Sequence, residues 1–104
     1  MTYAVYITES FEKDIEKLSE SDREIIQKIY NQLKENPYVG DIIRYRFFRE
    51  KRLREKRIYY LVYDDLLAVL VVAISDKKAQ AETIDEIVRL LPEYKAYIHN
   101  LLRK

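Results

Sequence analysis

Residues 56–74 read Lys56-Arg57-Ile58-Tyr59-Tyr60-Leu61-Val62-Tyr63-Asp64-Asp65-Leu66-Leu67-Ala68-Val69-Leu70-Val71-Val72-Ala73-Ile74. Two runs rich in Tyr, Val, Ile and Leu, Arg57–Tyr63 and Leu66–Ile74, are separated by two aspartates. Each run has strand length and strand composition. Aspartate tolerates the unusual backbone angles of a tight turn, so Asp64-Asp65 predicts a two-residue hairpin. Working outward, Arg46–Leu53 is strand-like but heavily basic, and Arg54-Glu55 is placed to turn it into the next strand.

Upstream, Tyr3–Thr8 alternates and predicts a further strand. Ser10 can cap a short helix whose apolar stripe is Phe11, Ile15 and Leu18. Ser21-Asp22-Arg23-Glu24 has the form of a capping box. Ile25, Ile26, Ile29, Tyr30 and Leu33 follow at helical spacing, and Asn36-Pro37 stops the helix. Downstream, Ser75-Asp76 can cap a helix striped by Ile84, Ile87, Val88 and Leu91. Pro92 breaks it and starts a last helix carrying Tyr94, Tyr97, Ile98 and Leu101. The expected order is β-α-α-β-β-β-α-α. This is an α+β fold, with an antiparallel sheet packed by the N-terminal helical hairpin and the C-terminal helices on or beside its other face. Residues 1–104 read as one domain, since the length is below that of two.

Strand parity assigns side chains to faces. With tight turns at 54–55 and 64–65, Leu53 faces Lys56, Arg52 faces Arg57 and Glu50 faces Tyr59. Beyond the second turn, Tyr63 faces Leu66 and Tyr59 faces Leu70. One face then collects Phe47, Leu53, Ile58, Tyr60, Val62, Leu67, Val69, Val71 and Ala73. Arg49, Lys51 and Lys56 fall towards one end of it. The other face mixes Arg46, Glu50, Arg52, Arg57, Tyr59 and Tyr63 with Phe48, Leu61, Leu66, Leu70 and Val72. That mixture describes a half-covered sheet with a polar pocket.

Composition excludes several chemistries. The 104 residues include no cysteine, one histidine (His99), one glycine (Gly40) and two prolines. A disulfide scaffold, a thiolate or multi-histidine metal centre and a glycine-rich phosphate loop are therefore ruled out. No metal or other cofactor is expected. His99 reads as a solvated or helix-end residue. The longest apolar run, nine residues, is far short of the ~20 that span a bilayer. The first ten residues lack a basic leader pattern. A cytoplasmic protein without membrane contact is the expectation.

Net charge is +1, but it is unevenly placed. Residues 1–43 carry −4, residues 44–57 carry +6 from 8 basic and 2 acidic groups, and residues 58–104 carry −1. Such a local basic stretch attracts phosphate whatever the total. The competing reading is an ion-paired edge strand protected from further pairing.

The order of elements, and in sequence chiefly residues 52–78, resemble the RelE/ParE superfamily of toxins from toxin–antitoxin pairs. There an arginine opens a strand of the type R-[VIL]-x-Y, matched by Arg57-Ile58-Tyr59-Tyr60. A tight turn and a very apolar strand follow, then a short basic segment, matched by Ser75-Asp76-Lys77-Lys78. The resemblance implies a metal-independent endoribonuclease, an mRNA interferase that cuts ribosome-bound mRNA and inhibits translation. It also implies a cognate RelB-like antitoxin as partner, with a dimer or a toxin–antitoxin hetero-oligomer as the assembly. Arg57 matches the family's strand arginine, Arg52 the position where the preceding strand enters its turn, and Lys77 or Lys78 the basic residue after the last strand. The family's bacterial nucleases add a tyrosine in the final helix; near that position this chain has Thr83 and Ile84, and no tyrosine before Tyr94. That departure and the low total charge motivate an alternative reading. In it, the chain is a ParE-like gyrase inhibitor or a degenerate toxin fold kept for binding RNA or protein.

RNA cleavage without a metal requires a deprotonated 2′-hydroxyl, stabilised phosphorane charge and a protonated leaving oxygen. Arg52 and Arg57 could hold one phosphate through the guanidinium fork. Glu50 offers a carboxylate as proton acceptor, and Lys77 and Lys78 offer charge or a proton. Arg44, Arg46, Arg49, Lys51 and Arg54 are candidate RNA contacts, and Tyr59 a candidate platform for a stacked base. Glu50, Arg52 and Arg57 could equally form a cross-strand ion network.

Overall fold

The computed structural model describes residues 2–103. The elements are β1 (Ala4–Ile7), α1 (Glu9–Ile15), α2 (Glu20–Glu35), β2 (Asp41–Ile42), β3 (Phe48–Leu53), β4 (Lys56–Tyr63), β5 (Ala68–Ser75), α3 (Gln80–Arg89) and α4 (Leu91–Leu102). They form an α+β fold around one five-stranded sheet of order β1-β5-β4-β3-β2. β1 lies parallel to β5, and the remaining neighbours are antiparallel. The two-residue β2, which the sequence pattern does not announce, closes one edge of the sheet. The β1–β5 pair makes the sheet mixed. The helical hairpin α1–α2 carries the chain from one edge to the other, which leaves β1 free to join β5 in the same direction.

Two apolar layers hold the helices. Phe11, Ile26, Ile29 and Leu33 pack on Leu53, Ile58, Tyr60, Val62, Val69 and Val71. On the opposite face, Phe48, Tyr59, Leu61, Leu70 and Val72 pack against Ile87 and Ile98 of α3 and α4. β4 and β5 are thus covered on both sides, which explains their nearly continuous apolar runs. Among the described residues, no helix is long and apolar enough to cross a membrane.

The helix starts differ from the sequence reading: the α1 and α2 caps each lie two residues earlier, and α3 begins four residues after Asp76. Thr8, not Ser10, caps α1 by accepting the Phe11 N–H at 3.2 Å. Ser19, not Ser21, caps α2 by accepting the Asp22 N–H at 3.1 Å. Asp76 accepts the Ala79 N–H at 2.9 Å and closes a turn ahead of α3, which begins at Gln80. Each capping side chain serves an N–H three residues on, and several neighbouring Ser, Thr or Asp residues could have done so.

The β4–β5 connection is longer than two residues. Asp64–Leu66 form a 3-10 turn, and Leu67 takes a left-handed conformation (φ 48°) to end it. Tyr63 therefore pairs with Ala68, not Leu66. A shift of two residues preserves the faces. Further along, Tyr60 pairs with Val71 while Tyr59 pairs with Ala73, leaving Val72 as an extra residue in β5. This bulge reverses the parity beyond it. Ala73 consequently lies on the α3/α4 face and Ile74 on the hairpin face, the reverse of the expected placement for Ala73. β3 also starts two residues later than expected, so Arg46 and Phe47 belong to the loop before it.

Candidate active site

The β3–β4 turn has the expected register: Arg52 pairs with Arg57, Leu53 with Lys56 and Glu50 with Tyr59. Arg54 supports the turn with a left-handed φ of 55°. Because of the bulge, Arg57 pairs with Ser75, and β5 delivers Asp76, Lys77 and Lys78 beside the turn. The result is a cleft of about 550 Å³ lined by Arg52, Arg54, Arg57, Lys77 and Lys78 together with Glu55 and Asp76.

Arg57 ties the cleft to a polar cluster between strand and helix. The Arg57 Nε stands 3.4 Å from Glu50 Oε2, with both side chains about one-eighth exposed. That distance is an ion contact, but the Nε–H forms no hydrogen bond. The other oxygen, Oε1, accepts from Gln80 Nε2 at 3.2 Å. Tyr59 and Ser75 share a hydrogen bond of 2.9 Å. Gln80, the first residue of α3, has no role assigned from sequence. Its signal was only its position just past the basic segment, which does not distinguish it from a surface residue.

The structure brings together Glu50, Arg52, Arg57, Lys77 and Lys78. Arg52, Lys77 and Lys78 are exposed. Among the described residues, no carboxylate lies within ion-pair distance of them. Positive charge with no local partner is what an anion would meet on entering the cleft.

Of the remaining basic candidates, Arg44, Arg46, Arg49 and Arg54 are engaged with partners of their own. Arg44 pairs with Asp85 of α3 at 2.7 Å. Arg46 lies over the Tyr38 ring and 3.6 Å from Asp64. Arg49 turns to the hairpin side and donates to the carbonyls of Arg46, Tyr38 and Gly40 at 2.8–2.9 Å. Its donors fasten the β2–β3 segment. Lys51 is half-buried and alternates onto the same side as Arg49. Arg54 lines the cleft while pairing with Asp22 at 2.7 Å. Tyr59 is fully buried, and burial raises its phenol above the usual range. It has no open ring face, so the stacking role expected of it does not hold.

No protein-family model and no curated protein sequence matches the chain. Solved structures do. A free-state variant of the E. coli toxin RelE, with two arginines changed to alanine, superposes with a TM-score of 0.69 at 22% identity, over 84% of this chain and 99% of that one. The toxin in the intact E. coli RelBE toxin–antitoxin complex gives 0.64 at 23% identity, over 71% and 95%. The archaeal RelE–RelB complex from Pyrococcus horikoshii gives 0.63 at 18% identity, over 74% and 97%. The chain therefore has the fold of RelE toxins of toxin–antitoxin pairs.

Proposed function

We propose that residues 1–104 form a RelE-like toxin domain whose basic cleft binds RNA phosphate and cleaves ribosome-bound mRNA without a metal ion. The convergence of Arg52, Arg57, Lys77 and Lys78 on one cleft of a RelE fold carries this reading. In it, Arg52 and Arg57 stabilise charge on the phosphorane, and Lys77 or Lys78 supplies positive charge or a proton to the leaving oxygen. The ribosome provides part of the substrate geometry. A RelB-like antitoxin is the cognate partner, as the RelB-bound neighbours suggest. Assembly is then a toxin–antitoxin hetero-oligomer, and the setting cytoplasmic.

Expression of the chain alone is the direct test. The expected result is growth arrest, with truncated mRNA on purified programmed ribosomes. Arg52→Ala or Arg57→Ala should lower cleavage roughly a hundredfold, the scale of losing one preorganised transition-state contact. Absence of both toxicity and cleavage would sink the enzymatic reading. A second reading, a non-catalytic toxin fold, draws on the resemblance: near the position where the family's bacterial nucleases carry a tyrosine, this chain has Thr83 and Ile84, which lie on α3. Inhibition of gyrase supercoiling by the pure protein, without RNA cleavage, would favour it.

A further inference from the structure

The cations of the cleft are not equally available. Arg52, Lys77 and Lys78 are exposed and without a carboxylate partner among the described residues. Arg57 is one-eighth exposed and sits against an equally buried Glu50 at 3.4 Å. Glu50 is in turn tied to α3 by Gln80 at 3.2 Å. Both carboxylate oxygens thus have a partner, one on β4 and one on α3. An arginine cannot shed its charge at any working pH. Its effective charge in the cleft is therefore set by whether Glu50 stays.

We infer that Glu50 and Gln80 form a latch that positions Arg57 and cancels its charge, so that Arg57 is delivered to a phosphate only in exchange for Glu50. Gln80 is a positioning residue in this arrangement, and Glu50 acts through Arg57. A carboxylate and a phosphate present the same ligand to a guanidinium, two oxygens in one plane. Arg52, Lys77 and Lys78 make the first contact because nothing must leave them. The buried Glu50–Arg57 contact is a suitable element to exchange. Its Coulomb attraction is largely offset by desolvation, and the Arg57 Nε–H has no hydrogen bond to lose. This inference rests on the phosphate-binding reading of the cleft.

The test uses the full chain with two probes: inorganic phosphate, and a single-stranded octanucleotide bearing 2′-O-methyl riboses, which cannot be cleaved. Glu50→Gln removes the charge at almost constant volume. It should tighten octanucleotide binding roughly tenfold at low salt. It should also steepen the dependence of log affinity on log salt by about 0.7, the increment for one more phosphate neutralised on a single strand. Gln80→Ala should move both quantities the same way by less, and keeps the test alive if Glu50→Gln fails to fold. Adding Arg57→Ala should abolish the gain. In parallel, the Arg57 Nε resonance should respond to inorganic phosphate at lower concentration in either latch variant than in the native chain. If the variants fold but bind no more tightly and keep the native salt slope, the latch is refuted while RNA binding through Arg52 survives. If the octanucleotide does not bind at all yet phosphate reaches Arg57 more readily in the variants, the latch stands and the RNA reading falls. An Arg57 resonance indifferent to phosphate in every form refutes the latch.

Discussion

Gly40 has no room for a side chain. A Cβ there would collide with the Glu50 carbonyl oxygen and stand 2.6 Å from the Tyr60 hydroxyl. That hydroxyl is buried, accepts the Gly40 N–H at 3.1 Å and donates to the Pro37 carbonyl at 2.7 Å. The contact is with backbone, which cannot swing aside. Gly40→Ala should therefore cost about 1–3 kcal/mol, read as a lower urea midpoint with an unchanged slope. An unaltered midpoint would mean that the β2–β3 segment shifts freely. The same tightness explains Tyr60, whose phenol is pushed up to about 12, chiefly by burial. Tyr59 is as buried, and its hydroxyl is satisfied by Ser75. Both tyrosines follow the usual rule that a buried phenol keeps a partner. Neither property is visible from residue type, because ten tyrosines occur in the chain and only their neighbours distinguish them.

At the helix starts and in the β4–β5 turn, local contacts are made by identifiable side chains. Thr8→Ala and Ser19→Ala should each cost about 0.5–2 kcal/mol by leaving a first-turn N–H without its side-chain acceptor. Ser10→Ala and Ser21→Ala, each two residues away, should be near neutral by comparison in thermal unfolding. Equal effects would mean that the caps are interchangeable. The turn has a charge-based anchor. Asp64 accepts hydroxyl hydrogen bonds from Tyr38 at 2.5 Å and Tyr3 at 2.7 Å, with Arg46 nearby. The Tyr38 bond above all, then that from Tyr3, holds its carboxyl below the ordinary 3.8. A lowered folded value means stability that is complete above the unfolded value and lost as pH falls through the folded one. The loss should thus lie below about pH 4. Asp64→Asn should flatten that acid limb while leaving the chain well folded at pH 7, as melting temperatures across a pH series would reveal. An acid limb as steep as the native one would remove Asp64 from this role.

At the scale of the molecule, the +6 of residues 44–57 is divided by the sheet. Arg49 faces the helical hairpin and spends its donors on carbonyls, and Arg44, Arg46 and Arg54 meet acidic residues. Arg52 is left exposed at one end of the sheet, where it stands beside Lys77 and Lys78. The division makes a paired prediction. Arg52→Ala should reduce the salt slope of single-stranded RNA binding by about 0.7 with little change in melting temperature. Arg49→Ala should lower the melting temperature and leave the slope alone. The reverse pattern would mean that phosphate is read on the hairpin side. The candidate site was legible in part for the same reason. Arg52, Arg57 and Glu50 share a face by simple alternation over a short turn. Gln80 reaches them only because α3 returns over the sheet.

The sequence by itself determined four of the five strands, the two helical pairs, the Arg52–Arg57 register and the two apolar layers. These depend on periodicity and on turns a few residues long, where neighbours in sequence are neighbours in space. The tertiary structure alone decided three things. It set β1 parallel to β5, because the hairpin α1–α2 crosses the sheet before β2. It placed the bulge at Val72, and with it Ser75, Lys77 and Lys78 on the side of Arg57, because one extra residue in β5 reverses every side chain beyond it. It also fixed which cations are paired, because an ion pair requires its carboxylate from a distant element, as Arg54 takes Asp22 from α2 and Arg44 takes Asp85 from α3.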